Sequence, residues 1–159
     1  MKKLFNFNEI EKIPFYKRAV YLRQFGKVRR GSSRLVLELN DKWVIKVAYN
    51  EKGVAQNGVE YEIYKYASSY ERSFLAKINI RRNLSGDFIF QEKVKPFAKQ
   101  YKRSLEVEKF SNKKSFLNFC RNYDLYKNEI LEQLGKNSRG KLVTYDYGFN
   151  KYVAQNYYV

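Results

Sequence analysis

The chain has 159 residues, a net charge of +16, and a composition that is 44% hydrophobic and 18% aromatic, enough apolar material for one domain with a core and too much for a disordered polymer. It contains no histidine and one cysteine, Cys120, which excludes Ser-His-Asp catalysis, His-ligated or Cys-rich zinc sites and an internal disulfide. The charge favours an anionic partner, an acidic protein face or nucleic acid, although an AT-rich coding sequence alone also raises lysine.

The N-terminus begins with Met1-Lys2-Lys3 but lacks the apolar stretch and small-residue cleavage site of a leader. No run approaches the ~18 apolar residues of a membrane span. A cytoplasmic protein with no membrane partner is expected. A short helix is predicted after Pro14. In "FGKVRRGSSRLVLEL", Gly26 and Gly31 bracket a basic turn, and a strand follows from Arg34. Asn40-Asp41 signals a tight turn before "KWVIKVAY", so residues 34–48 read as a hairpin. Val59, Ile63, Tyr66 and Ala67 share a helical spacing that predicts a helix over 55–70.

A second hairpin is predicted from "FLAKINIRRN" and "FIFQEKV", turning at Leu84-Ser85-Gly86-Asp87. Residues 93–114 are basic and without period, a connection with room for one short helix. Phe116, Leu117, Cys120, Tyr123 and Leu125 predict a helix from 113 to about 126. "KLVTYDYGF" reads as a last strand, and "VAQNYYV" as an edge strand or an aromatic binding tail. The order β-β-α-β-β-α-β implies an α+β fold with a mainly antiparallel sheet.

Lys46 is out of place. In "WVIKVA" it interrupts a strand that is otherwise apolar on both faces. A buried ammonium needs a carboxylate or a phosphate. The following helix offers Glu60 and Glu62. Glu60 shares a face with Ile63 and Ala67 and is the preferred partner.

A glycine-containing turn between strands, a "VIKVA" strand with a lysine, and a helix with a glutamate resemble the small lobe of the protein kinase fold. "LVTYDYGF" resembles the kinase strand leading to Asp-Phe-Gly, with Asp146-Tyr147-Gly148 in its place. The wording is also similar to small truncated kinase-like proteins of bacteriophages. The resemblance implies a minimal kinase-like architecture in one domain: residues 1–24 an N-terminal extension, 25–95 small-lobe-like, 96–159 a reduced large lobe. It implies ATP with Mg2+ as cofactor, bound by Lys46, Glu60, Asp146 and Gly31, with Asp146 on the metal and "FIFQEKVKPF" holding adenine.

The departures are as informative. G-x-G-x-x-G is absent. The P-loop pattern fails because Ser32 stands where lysine is needed and a strand follows where a helix should. No His-Arg-Asp precedes the Asp146 strand, where Glu129 and Gln133 are weak substitutes for the catalytic Asp and Asn. Eleven residues after Gly148 leave no room for an activation segment. Catalysis is therefore not expected. The expected function is a non-catalytic, nucleotide-binding or formerly nucleotide-binding protein of phage origin that inhibits or modulates a host factor of defence, transcription or nucleic-acid machinery. Its contact surface would comprise Arg29, Arg30, Arg34, Lys93, Lys95, Lys99, Lys102 and Arg103. The alternatives are a minimal Mg-ATP-dependent phosphotransferase and a nucleic-acid-binding module, for which aromatics interleaved with basic residues are the signal.

Overall fold

The computed structural model describes residues 5–82, 85–98, 100–101 and 104–158. Leu84 of the predicted turn and Lys99, Lys102 and Arg103 of the predicted contact surface lie outside the described residues. The fold is α+β with antiparallel sheets.

The first sheet runs β1 (Val28–Arg30), β2 (Arg34–Glu38), β3 (Trp43–Ala48), β4 (Phe88–Glu92), in that spatial order, each pair antiparallel. The 34–48 hairpin is present as expected. Its turn is held by Asn40, whose Oδ1 accepts from the amides of Lys42 and Trp43. The period of two then sorts the side chains. Leu35, Leu37, Ile45, Val47, Phe88 and Phe90 face one way and are buried with Ile10 and Leu22. The N-terminal segment supplies this cover through a 3-10 helix, Phe7–Lys12, and α1, Phe15–Arg23. Residues 5–24, expected as an extension, are thus one wall of a core. Arg18 fastens them, buried, with its guanidinium on the Ile13 and Ala48 carbonyls and on Asp87 at 2.6 Å.

The opposite face carries Arg34, Val36, Val44, Lys46, Ala48, Ile89 and Gln91, and is crossed by α2, Glu51–Tyr66. The helix begins before the predicted 55 because the Asn50 side chain caps it, accepting from the Gly53 amide at 3.0 Å. It ends at Tyr66, where Ala67 turns extended. Gly53 lets helix and sheet meet: a Cβ there would lie 2.2 Å from the Ser33 carbonyl oxygen.

Residues 74–79 do not form the predicted hairpin strand. Their backbone bonds are shared between two sheets. Leu75 bridges to Thr144 and Ile78 to Gln91, and a 3-10 turn at Ile80–Arg82 then ends the segment. The second sheet is β5 (Lys95–Pro96), β6 (Leu134–Lys136) and β7 (Leu142–Thr144), again antiparallel.

The helix predicted from 113 to about 126 is present and ends earlier, at Asn122. A short α3, Ser69–Arg72, closed by a Ser68–Glu71 capping box, precedes it in the chain. Then come α4 (Leu105–Ser111), α5 (Lys114–Asn122) and α6 (Lys127–Glu132). Asp124, with φ at +54°, breaks the last two apart. Phe74, Phe110, Phe116 and Phe119 pack edge to face or tilted in the core beneath, with Ile130, Leu134 and Tyr147. The C-terminal "VAQNYYV" is not a strand: α7, Lys151–Tyr157, is capped by Asn150. Among the described residues, no helix is long and apolar enough to cross a membrane.

Candidate functional site

The inner sheet face makes the site. Arg34 and Lys46 both point inward, because Arg34 pairs with Ala48, two residues from Lys46, so the two cations are diagonal neighbours on adjacent strands. Opposite them α2 presents Gln56, Asn57 and Glu60 on its buried face. Asp146 arrives from the irregular segment after β7.

Lys46 is 5% exposed and Glu60 0%. The ammonium donates to both Glu60 oxygens, at 3.2 and 3.1 Å, and to the Tyr145 carbonyl. The sequence-preferred pair is therefore formed. Glu60 is shared, however: Arg34 donates to its Oε1 at 2.8 Å, to Asn57 Oδ1 at 3.2 Å and to Asp146 Oδ1 at 2.5 Å. Two cations and two carboxylates close a neutral tetrad, with Arg34 at its centre.

The electrostatics follow. Burial, and then the neighbouring Arg34 charge, pull Lys46 below the ordinary lysine value, against the opposing pull of Glu60. For Arg34 burial works in the same direction, but Glu60 and Asp146 outweigh it and hold the guanidinium firmly charged. Burial would raise Asp146, yet Arg34 and Lys46 prevail and hold it below the ordinary aspartate value.

The sign of the acid response is fixed by that depression. The Asp146 contribution is complete above about pH 4 and is lost as pH falls through the lower folded-state value. Its carboxylate is 37% exposed, so screening limits the effect to about 1 kcal/mol. Asp146→Asn is expected to flatten the acid limb by that amount in denaturant midpoints measured from about pH 2 to 6. An unchanged acid limb would show that the Arg34–Asp146 pair is energetically idle.

Other predicted residues separate. Gly31 sits in the β1–β2 turn, its amide on the Arg34 carbonyl at 2.8 Å and its own carbonyl on the Tyr49 hydroxyl at 2.5 Å. Glu129 and Gln133 reach the mouth of the site: with Asp146, Ser32, Gln56 and Tyr158 they line a cleft of about 300 Å³. Arg34, expected on the contact surface, is corrected to a buried residue, because strand alternation turns it inward to two carboxylates. Arg29 and Lys93 are at the surface but share one carboxylate, Glu38, at 2.7 and 2.9 Å. Arg30 is exposed and lies 4.8 Å from the Tyr49 ring centroid, and Lys95 is exposed on β5.

Five participants were not anticipated. Asn57, fully buried, donates to the Gly86 carbonyl at 2.8 Å. Ser33 donates to Gln56, and the Gln56 amide donates to the Tyr158 hydroxyl at 3.0 Å, linking the Ser33 turn and α2 to the C-terminal end. Tyr147 is fully buried and donates to the Ala76 carbonyl at 3.0 Å, fixing the Asp146 segment from behind. The available signal was α2's polar stripe, Gln56, Asn57 and Glu60, at the spacing of Gly53, Ile63 and Tyr64.

No protein-family model matches the chain, and no curated protein matches it. Among solved structures, it is similar to a SAICAR synthetase (Type-2) in complex with ADP. The two share 11% identity over 76% of this chain and 80% of that one, with a TM-score of 0.41. An overlap that low assigns neither a family nor a ligand.

The Mg-ATP that the sequence resemblance implies does not fit the tetrad as it stands. Glu60 and Asp146 each give an oxygen to Arg34. Lys46 points its donors at Glu60 and the Tyr145 backbone. A triphosphate and its metal would have to displace Arg34 first.

Proposed function

We propose that the chain is a non-catalytic, kinase-like binding protein that modulates a host factor through its basic outer surface. One observation carries the reading: Arg34 bridges Glu60 and Asp146, where a kinase holds metal and phosphate. An internal guanidinium does permanently what a divalent cation would do transiently, and the former nucleotide clamp becomes a strut.

The charge distribution supports the binding role. The buried cations Arg18, Arg34 and Lys46 pair with Asp87, Glu60 and Asp146 and cancel. The +16 excess therefore belongs to the rest of the chain. Such a field steers acidic partners and raises their association rate.

Thermal unfolding with and without Mg-ATP tests this directly. Ligand at about a hundred times its Kd adds about 2.7 kcal/mol, an easily read rise in Tm. The expected result is no rise. A rise in the wild type that disappears in Lys46→Met overturns the strut and shows that the clamp still holds nucleotide. A second reading, a minimal phosphotransferase, has one observation behind it: Glu129 and Gln133 share the cleft with Asp146, the arrangement a substitute catalytic loop needs. Transfer of labelled γ-phosphate to any acceptor would decide for it.

A further inference from the structure

The mouth of the cleft has a row of aromatic rings that the tetrad does not use. Phe149 lies 5.8 Å from Tyr126 and 5.1 Å from Tyr158, ring centre to ring centre. Tyr126 and Tyr158 are each 37% exposed. The Lys52 ammonium stands 4.4 Å from the Tyr158 centroid. Near the β1–β2 turn the Arg30 guanidinium covers Tyr49. Tyr49 donates to the Gly31 carbonyl and Asn50 to the Ser32 carbonyl at 3.3 Å, which ties the chain entering α2 to that turn. Ser32, Phe149 and Tyr158 line one cleft. The surface thus carries two cation–ring pairs and, continuing from Tyr158, a run of three rings to Tyr126.

The same mouth also carries a different chemistry. Glu129 is an exposed carboxylate, and Gln133 is a half-buried amide; among the described residues neither is tied into an internal hydrogen bond. A carboxylate beside an amide repels phosphate but accepts from N–H donors. Rings and acceptors lining one cleft, with cations beside the rings, suit a base turned inward with its phosphates outside. A cleft of about 300 Å³ is at the small end of ligand sites and admits one planar ring.

We infer that this face binds single-stranded nucleic acid, stacking bases on Tyr126, Phe149 and Tyr158 while Lys52 and Arg30 meet the backbone. The inference rests on the binding-protein reading above and names its polyanion. Stacking on rings with flanking cations is how single strands are held without duplex structure.

Fluorescence anisotropy with a labelled short oligonucleotide tests it, in RNA, DNA and duplex versions and over a series of salt concentrations. Single strands of one or both chemistries are expected to bind more tightly than duplex, with affinity falling steeply as salt rises. Tyr126→Ala and Phe149→Ala should each weaken binding roughly ten-fold, while Tyr126→Phe should keep it, since stacking does not need the hydroxyl. Lys52→Ala should reduce the salt slope by about one phosphate contact. Tyr126 is exposed, so its variants leave the core intact. Circular dichroism and Tm confirm that the Phe149 variant is folded. Equal binding of duplex, or ring variants as tight as the wild type, overturns the inference. So does polyglutamate that binds as well as the oligonucleotide, and in that case the partner is an acidic protein. None of these outcomes depends on Mg-ATP, so the two readings fail separately.

Discussion

Glu60→Gln is expected to destabilise the fold by about 3–5 kcal/mol, the cost of stripping the partner from a buried charge. The effect is large because one carboxylate serves two cations. Glu60 accepts from Arg34 and from Lys46 and is fully buried. A neutral amide leaves both cations with Asp146 as their one remaining carboxylate, which Arg34 meets at 2.5 Å. Urea midpoints should fall with the m-value unchanged. The loss should narrow in alkali. Lys46 is already below its ordinary value in the wild type, and without Glu60 it falls further. Between the folded value and about 10.4 the unfolded chain holds the proton that the folded chain has shed, so stability rises with pH there. The double variant Glu60→Gln, Lys46→Met should recover part of the loss, since one stranded charge is gone. A midpoint within experimental error of the wild type would mean that the tetrad is hydrated and contributes little.

Gly148→Ala is expected to cost about 3 kcal/mol, the upper end for overpacking. The reason is close approach. A Cβ on Gly148 would lie 2.4 Å from the Gln56 carbonyl oxygen and 3.0 Å from Glu60 Cγ. The first of these is helix backbone and has no rotamer to move into. To relieve the clash, the segment carrying Asp146 must back away from α2, which also stretches the Arg34 bridge. The variant should therefore lose stability and, in addition, the depressed acid response of Asp146. Gly58→Ala on the same helix meets nothing within 4 Å and should be neutral or stabilising by a few tenths of a kcal/mol. If both alanines gave the same midpoint, the close packing of α2 against the Asp146 segment would be wrong.

Lys46 and Glu60 were legible in the sequence because each breaks a pattern. The lysine interrupts an apolar strand, and the glutamate shares a helical face with Ile63 and Ala67. Arg34 was not, since it begins a strand directly after a basic turn and there looks like one more exposed arginine. Its inward direction depends on the Arg34–Ala48 register, which the Asn40 turn sets, and register is a long-range property. The buried polar stripe of α2 escaped for a related reason: a hydrophobic template discounts Gln56 and Asn57, which are inside because they bond the sheet and the C-terminal end. The C-terminal helix was hidden by its tyrosines, which carry strand propensity, although Asn150 had the character of an N-cap. Phe74–Asn79 had the composition of a strand, but its bonds are divided between two partners, and no local pattern encodes that division.

That division has a mechanical consequence. The Ala76 amide bonds Thr144 and the Thr144 amide bonds Phe74, both at 2.8 Å, while Glu92 bonds Lys77 at 2.8 Å and Asn79 bonds Phe90 at 3.0 Å. One short length of chain is stitched to both sheets, with the Tyr147 hydroxyl as a further knot. Two slabs sewn along a common seam cannot swing apart like the covers of a book. A clamshell opening, of the kind by which many enzymes admit and release a ligand, would have to tear that seam.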